Sequence, residues 1–203
     1  MFASFNGKNI FSSDEWMAVP NNARDSGDLK IKVSKYMSYL LRHNPRDLKM
    51  DSEGYVDLED LLRKVRERFK VDKRLIFEII EKSERKRFEV KNGKIRALYG
   101  HSIPVDLKLK EEKTIEVLYH GTTPEAAENI MRTGLKPMKR RWVHLSPTID
   151  IAKEVAMRRT RRPVVIEVDV KRARKDGKIK FYKATEQVYL CSEIPPRYLR
   201  RII

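Results

Sequence analysis

Val33, Tyr36, Met37, Leu40 and Leu41 recur at the three- and four-residue intervals that line up one face of a helix, with polar residues filling the gaps. The pattern predicts a first helix ending near His43, because Pro45 disfavours helical geometry in the residue ahead of it. Asp57 can cap a second helix with Leu58, Leu61, Leu62, Val65 and Phe69 on one side, and Asp72 a third carrying Leu75, Ile76, Ile79 and Ile80. The period then shortens to two. Phe88 and Val90 alternate with charged neighbours, Asn92-Gly93 supplies a type I′ turn, and Ile95 and Ala97 resume the alternation. Three helices followed by a β-hairpin predict a small winged-helix unit.

Leu107 to Lys113 reads as a charged connector, and a domain boundary is expected there. Beyond it Ile115 to Tyr119 has strand character. Thr123-Pro124 places an N-cap before a proline at the first helical position, and Gly134 closes that helix. A strand through Val143-His144-Leu145, a helix from Ile149 to Met157 and strands at Val164 to Val170, Ile179 to Tyr182 and Val188 to Cys191 follow. Met1 to Asp28 has no period of either kind and reads as an extension with little fold of its own. The expected class is α+β: an extension over residues 1–29, a winged-helix lobe over 30–106, and a second lobe of short strands and helices over 107–203. Strands and helices do not alternate regularly, and neither G-x-G-x-x-G nor G-K-[ST] occurs, which argues against doubly wound and P-loop nucleotide folds.

Charge adds a partner. The 45 Lys and Arg against 29 Asp and Glu leave a formal +16, a field that draws in polyanions. A heat-adapted ion-pair surface would balance its signs. Between Met131 and Pro163 there are instead ten Lys and Arg against two acids, Asp150 and Glu154, so nucleic acid is the leading partner class. A single cysteine, Cys191, leaves no intramolecular disulfide and fits a reducing compartment, so a cytoplasmic location is expected. No apolar run is long enough to span a bilayer, and the charged-then-apolar layout of a signal peptide is missing.

A few residues stand out as candidates for chemistry. Arg42 and His43 close the first helix, where cations complement the helix dipole by about 0.3–1 kcal/mol even without any function. Arg96 lies between the core-facing Ile95 and Ala97, so it faces away from the core. His101 and Ser102 follow Gly100 in a loop that permits close backbone approach. His120, Gly121 and Thr122 are expected in a loop leading to a helix N-terminus, where main-chain amides can hold an amide or a phosphate. His144 and Ser146, two apart on a strand, point to one side. Strand-end histidines raise the question of zinc, but no His-x-x-x-His pair, cysteine partner or acidic third ligand accompanies them. Arg158, Arg159, Arg161 and Arg162 precede a strand led by Pro163, and arginine grips phosphate through two parallel hydrogen bonds.

Together these motifs resemble those of the RNA 2′-phosphotransferases that act on tRNA splice junctions. The resemblance runs from about Ile31 to Ile203 and is carried by SKYMSYLLRHNP (Ser34 to Pro45), IRALYGHS (Ile95 to Ser102), LYHGT (Leu118 to Thr122), VHLSP (Val143 to Pro147) and VYLCSEIPPRYL (Val188 to Leu199). Each is weak alone, and their order and spacing carry the specificity. Glu186-Gln187 departs from the Asn-Gly that the family commonly places before its last strand motif.

The resemblance implies a winged-helix lobe that binds RNA and a C-terminal lobe similar to ADP-ribosyltransferases that binds NAD as co-substrate. It implies that the RNA 2′-phosphate attacks the nicotinamide-bearing ribose carbon and that a ribose hydroxyl then displaces the RNA, leaving ADP-ribose cyclic phosphate. Arg42, His43, Arg96 and Arg159 would be the catalytic residues, with Arg158 one register from Arg159. His120, Gly121, Thr122, His144 and Ser146 would form the NAD pocket, and His101, Ser102 and Arg158 would contact substrate. No metal is implied, and a monomer is expected. Glu193 stays open as a carboxylate of the kind used in protein ADP-ribosylation. Two rivals remain: an enzyme that leaves ADP-ribose on a nucleic-acid terminal phosphate, and a winged-helix binder without chemistry.

Overall fold

The computed structural model describes residues 23–82 and 85–203, a mixed α+β arrangement of six α-helices and three small antiparallel sheets among those residues. Helix α1 (Ala23–Arg42) buries Val33, Tyr36, Met37, Leu40 and Leu41, the face its period predicts. It starts inside the segment read as an unstructured extension, so that reading is corrected for residues 23–28. Lengthening a formed helix adds one hydrogen bond per residue without a new nucleation cost. Ion pairs Lys32–Asp28 (2.9 Å) and Lys30–Glu78 (2.7 Å), with Leu29 packed on the core, hold the added turns. Residues 1–22 of that extension lie outside the described residues.

Strand β1 (Val56–Asp57) runs into α2 (Leu58–Arg66), whose Asp57 cap accepts from the amides of Glu59 and Asp60; α3 (Lys73–Glu81) is capped by Asp72. Strands β2 (Phe88–Lys91) and β3 (Lys94–Ala97) form the expected hairpin, with Asn92 and Gly93 both at positive φ (50° and 72°), as a type I′ turn requires. The sheet order is β1-β3-β2, and β1 is too short for any alternation to announce it. Residues from Val33 to Ala97 close one apolar core.

A second set of apolar clusters draws only on residues from Ile115 onward. Strand β4 (Val117–Thr122) leads through the Thr123 cap into α4 (Pro124–Thr133), then β5 (Val143–Leu145), α5 (Ile149–Met157), β6 (Val164–Asp169), α6 (Val170–Gly177), β7 (Phe181–Thr185), β8 (Val188–Cys191) and β9 (Leu199–Arg201). These strands form two sheets, β4-β6-β9 and β5-β8-β7, stitched by reciprocal main-chain bonds between Tyr119 and Ser146 (2.9 and 2.8 Å). Helix α6 has no counterpart among the expected elements. Its sequence offers the core only Val170 and Ala173, too sparse an apolar stripe to show a period. The end of the connector is also less free than expected, because Glu112 donates its amide to the Phe181 carbonyl (2.7 Å) on β7. At the β7–β8 turn Glu186-Gln187 avoids positive φ, and a register shift between Lys183 and Thr185 absorbs the difference. Among the described residues no helix is long and apolar enough to cross a membrane.

Candidate active site

Helix α1 delivers Arg42 in its last turn, and the loop after β3 meets it there. The amide of Ser102 bonds the Arg42 carbonyl (2.9 Å), satisfying a helix-end acceptor with a residue sixty positions away. Gly100, at φ 90°, has the Arg42 side chain where a Cβ would point, with the nearest atom at 3.3 Å. The Arg42 guanidinium lies over the Tyr99 ring at 4.8 Å, and its Nε and Nη2 are buried without a partner. Burial pulls its pKa down to about 10. Next to it, His43 is exposed, and its Nδ1 lies 3.0 Å from Ser102 Oγ. Partial burial first, then the charges of Arg42 and Arg140, lower its pKa.

The histidines of the other half are fixed by carbonyls. His144 Nδ1 lies 2.9 Å from the Trp142 oxygen, and His120 Nδ1 lies 3.0 Å from the His144 oxygen. A carbonyl only accepts, so each Nδ1 carries the hydrogen and each neutral ring offers an Nε2 lone pair. His144 Nε2 is buried and has no partner. Burial chiefly, and then Arg140, drives the His144 pKa down to about 3, while burial lowers that of His120. The site therefore presents neutral imidazoles in a cationic surround.

Tyr99 joins the two groups. It carries Arg42 on its face and meets His144 edge-on, with centroids 6.1 Å apart. The loop before β5 is the other link, since the Arg141 amide donates to the His101 carbonyl (3.1 Å), and the neighbouring Arg140 puts its charge on Arg42, His43, His120 and His144 alike. Sequence reasoning does not single out Tyr99 or Arg140. Both are in plain view, one inside the LYGHS segment and one inside a basic run where no single arginine is distinguishable.

Several expected residues take other places. His120, Gly121 and Thr122 are not in a loop: β4 continues through all three, pairing Gly121 with Val165 and Thr122 with Val164. Gly121 is required by packing, because its Cβ would fall 1.8 Å from the Ala152 carbonyl of α5. Ser146 is buried at the bridge to Tyr119. His101 is only 3% exposed, with both ring nitrogens unpartnered, and burial takes its pKa down to about 3. Arg96 is pinned by Glu89 (2.9 Å) and by stacking on Tyr55 at 4.5 Å, and its charge bears on His101. Arg159 acts electrostatically on His120 and Arg140, whereas Arg158 lies among Arg85, Arg87 and Tyr99. The two adjacent arginines thus serve different surroundings.

A desolvated arginine close to neutral imidazoles, with further arginines acting on both, defines the class: a protein with a cationic site suited to an anionic ligand. Comparison with known proteins gives the family. The family model described as "RNA 2'-phosphotransferase, Tpt1 / KptA family" matches residues 28–193. Among similar proteins are the "Probable RNA 2'-phosphotransferase 1" of Archaeoglobus fulgidus, 45% identical over 85% of this chain and 81% of its own length, and the "Probable RNA 2'-phosphotransferase" of Pyrococcus abyssi, 45% identical over 82% and 92%. A third, from Acetivibrio thermocellus, is 42% identical over 83% of this chain and 95% of its own. The chain belongs to the RNA 2′-phosphotransferase family, whose members remove a splice-junction 2′-phosphate with NAD as co-substrate.

Proposed function

We propose that this chain transfers an internal 2′-phosphate from RNA to NAD at a site between a winged-helix lobe, residues 30–106, and an ADP-ribosyltransferase-like lobe, residues 107–203, acting as a monomer. The separate apolar cores support that division. The observation that carries the reading is Arg42. A buried cation with unsatisfied nitrogens costs several kcal/mol unless an anion completes it. A phosphate monoester, already largely dianionic because its second pKa is about 6, supplies both the charge and the paired acceptors that a guanidinium fits.

The residues also fit NAD. His144 Nε2 is an orphaned, buried acceptor suited to a ribose hydroxyl or an amide hydrogen, and His120 repeats the arrangement on the neighbouring strand. Gly121 lets β4 lie close against α5, and Ser146 ties β5 to β4, so the two histidines hold their spacing; Thr122 ends β4 beside them. Bound NAD supplies the ribose carbon that accepts the phosphate and the hydroxyl that later releases the RNA.

Arg42, Arg96 and Arg159 orient a nucleophile that needs placement more than deprotonation. His101 stays neutral behind them, so it adds no further positive charge. The departing RNA ribose oxygen must gain a proton, and His43 is the group to give it. If Nδ1 donates to Ser102, whose hydroxyl reaches back toward the Arg42 carbonyl at 3.5 Å, Nε2 is left to carry the transferable proton. In the free protein partial burial, then the charges of Arg42 and Arg140, disfavour the imidazolium; an arriving dianion offsets those charges and raises the imidazolium population when it is needed.

The test is a short RNA with one internal 2′-phosphate, incubated with and without NAD and followed by mass. NAD-dependent phosphate loss with release of nicotinamide and ADP-ribose cyclic phosphate is the expected result. An RNA that keeps its phosphate, or that ends carrying ADP-ribose, overturns the proposal.

A further inference from the structure

We propose that Arg87 and Arg158, brought together with the help of the Arg85–Glu154 ion pair, form a cationic surface beside the transfer site, over which the phosphodiester backbone of single-stranded RNA runs as it leaves the 2′-phosphorylated nucleotide. The inference rests on the phosphotransfer reading above and adds the path of the strand.

The three arginines come from both halves of the chain and are brought together by identifiable contacts. Arg85 forms an ion pair with Glu154 of α5. Arg158, the C-cap of α5, follows Glu154 by four residues, one helical turn, so that pair carries Arg85 to the turn that bears Arg158. Arg87, two residues from Arg85, accepts the Leu98 amide on its carbonyl (2.9 Å) and donates from Nη1 to Ser34 Oγ on α1 (3.2 Å). Leu98 immediately precedes Tyr99, whose ring carries Arg42. A continuous line therefore leads from the end of α5, through Arg85 and Arg87, to the proposed phosphate ligand.

Charge along that line is one-sided. Glu154 pairs with Arg85 and acts on Arg158, which has Arg85, Arg87 and Tyr99 around it as well. Burial, then Arg85 and Arg87, lowers the Arg158 pKa, and Arg87 lowers that of Arg42 in the same way, so the charges are close enough to repel. A cation at the end of α5 compensates the helix dipole, and that explains one arginine, not three from two directions. Evenly spaced anions relieve the repulsion along the whole line. Continuity with a site that takes an RNA phosphate favours the same RNA strand as occupant over an acidic protein, and arginine suits phosphodiester oxygens better than lysine does.

The experiment compares kcat/KM for a 2′-phosphorylated dinucleotide with that for the same dinucleotide extended by several nucleotides on its 5′ side or on its 3′ side. Wild-type protein should prefer one extended form by about tenfold, with a salt slope steeper by about 0.7 for each further phosphate that it engages. R87Q should pull that ratio toward the dinucleotide value, and R87K should restore it. An absent length preference in the wild type, a preference untouched by R87Q, or equal R87Q losses on dinucleotide and extended RNA would overturn the inference. Wild-type protein that removes no phosphate from any of these RNAs would instead sink the phosphotransfer reading itself, a distinguishable outcome.

Discussion

Acid should destabilise this protein in large part through His101 and His144, two histidines that resist protonation where they sit. His101 and His144 each have a folded pKa of about 3 against an ordinary 6.5. Their neutral forms contribute fully to stability above pH 6.5, and the contribution is lost as pH falls from 6.5 toward 3, because the unfolded chain takes up the protons first. Each imidazole costs about 1.4 kcal/mol per pH unit in that window, so moving from pH 7 to about pH 5 removes about 2 kcal/mol per histidine and about 4 kcal/mol for the pair. That is a large share of a typical stability of about 5–15 kcal/mol. Urea unfolding at several pH values measures it. His101→Gln and His144→Gln should each take about 2 kcal/mol out of the difference between about pH 7 and pH 5, whatever they do to stability at neutral pH. Carboxylates titrate equally in wild type and variants, so the slope difference isolates the imidazole. A His101→Gln chain that loses stability with falling pH as steeply as wild type would refute the account of a buried, neutral His101.

Other consequences are sharper in activity. Arg42→Ala should cut kcat/KM by about a hundredfold or more while raising the stability of the unliganded protein by about 1–3 kcal/mol, because an unsatisfied buried cation is gone; a thermal melt beside the kinetic assay checks both signs. His43→Ala should slow turnover by about a hundredfold to ten-thousandfold and abolish the fall in rate as pH rises through the histidine pKa, so a wild-type rate or an intact pH limb would dismiss its role as proton donor. Gly121→Ala has to displace the Ala152 carbonyl, 1.8 Å from the new methyl, and should cost about 4 kcal/mol or more, read as a lowered urea midpoint.

Much of the local structure is legible in the sequence. The faces of α1, α2 and α3, the Asn92-Gly93 hairpin, the Thr123 cap and strand β8 follow from spacing, capping and turn chemistry, which are properties of a few adjacent residues. Arg42, His43, His120 and His144 can be nominated because motifs are local too. Less local features escape. Strand β1 is stabilised by a partner about forty residues away, α6 shows the core two residues, and β4 runs past its predicted end because Val164 and Val165 wait to pair with Thr122 and Gly121.

The sequence by itself determined the elements, the basic character and the resemblance, since each depends on which side chains neighbour one another along the chain. Tertiary structure alone decided what the candidate residues are chemically. Burial made His101 and His144 neutral and left two nitrogens of Arg42 without a partner, and two carbonyls fixed which nitrogen of His120 and His144 carries the hydrogen. The fold also turned Arg158 and Arg159, neighbours in sequence, toward different surroundings. Solvation and long-range contact set those properties, and neither is written in the spacing of residues along a chain.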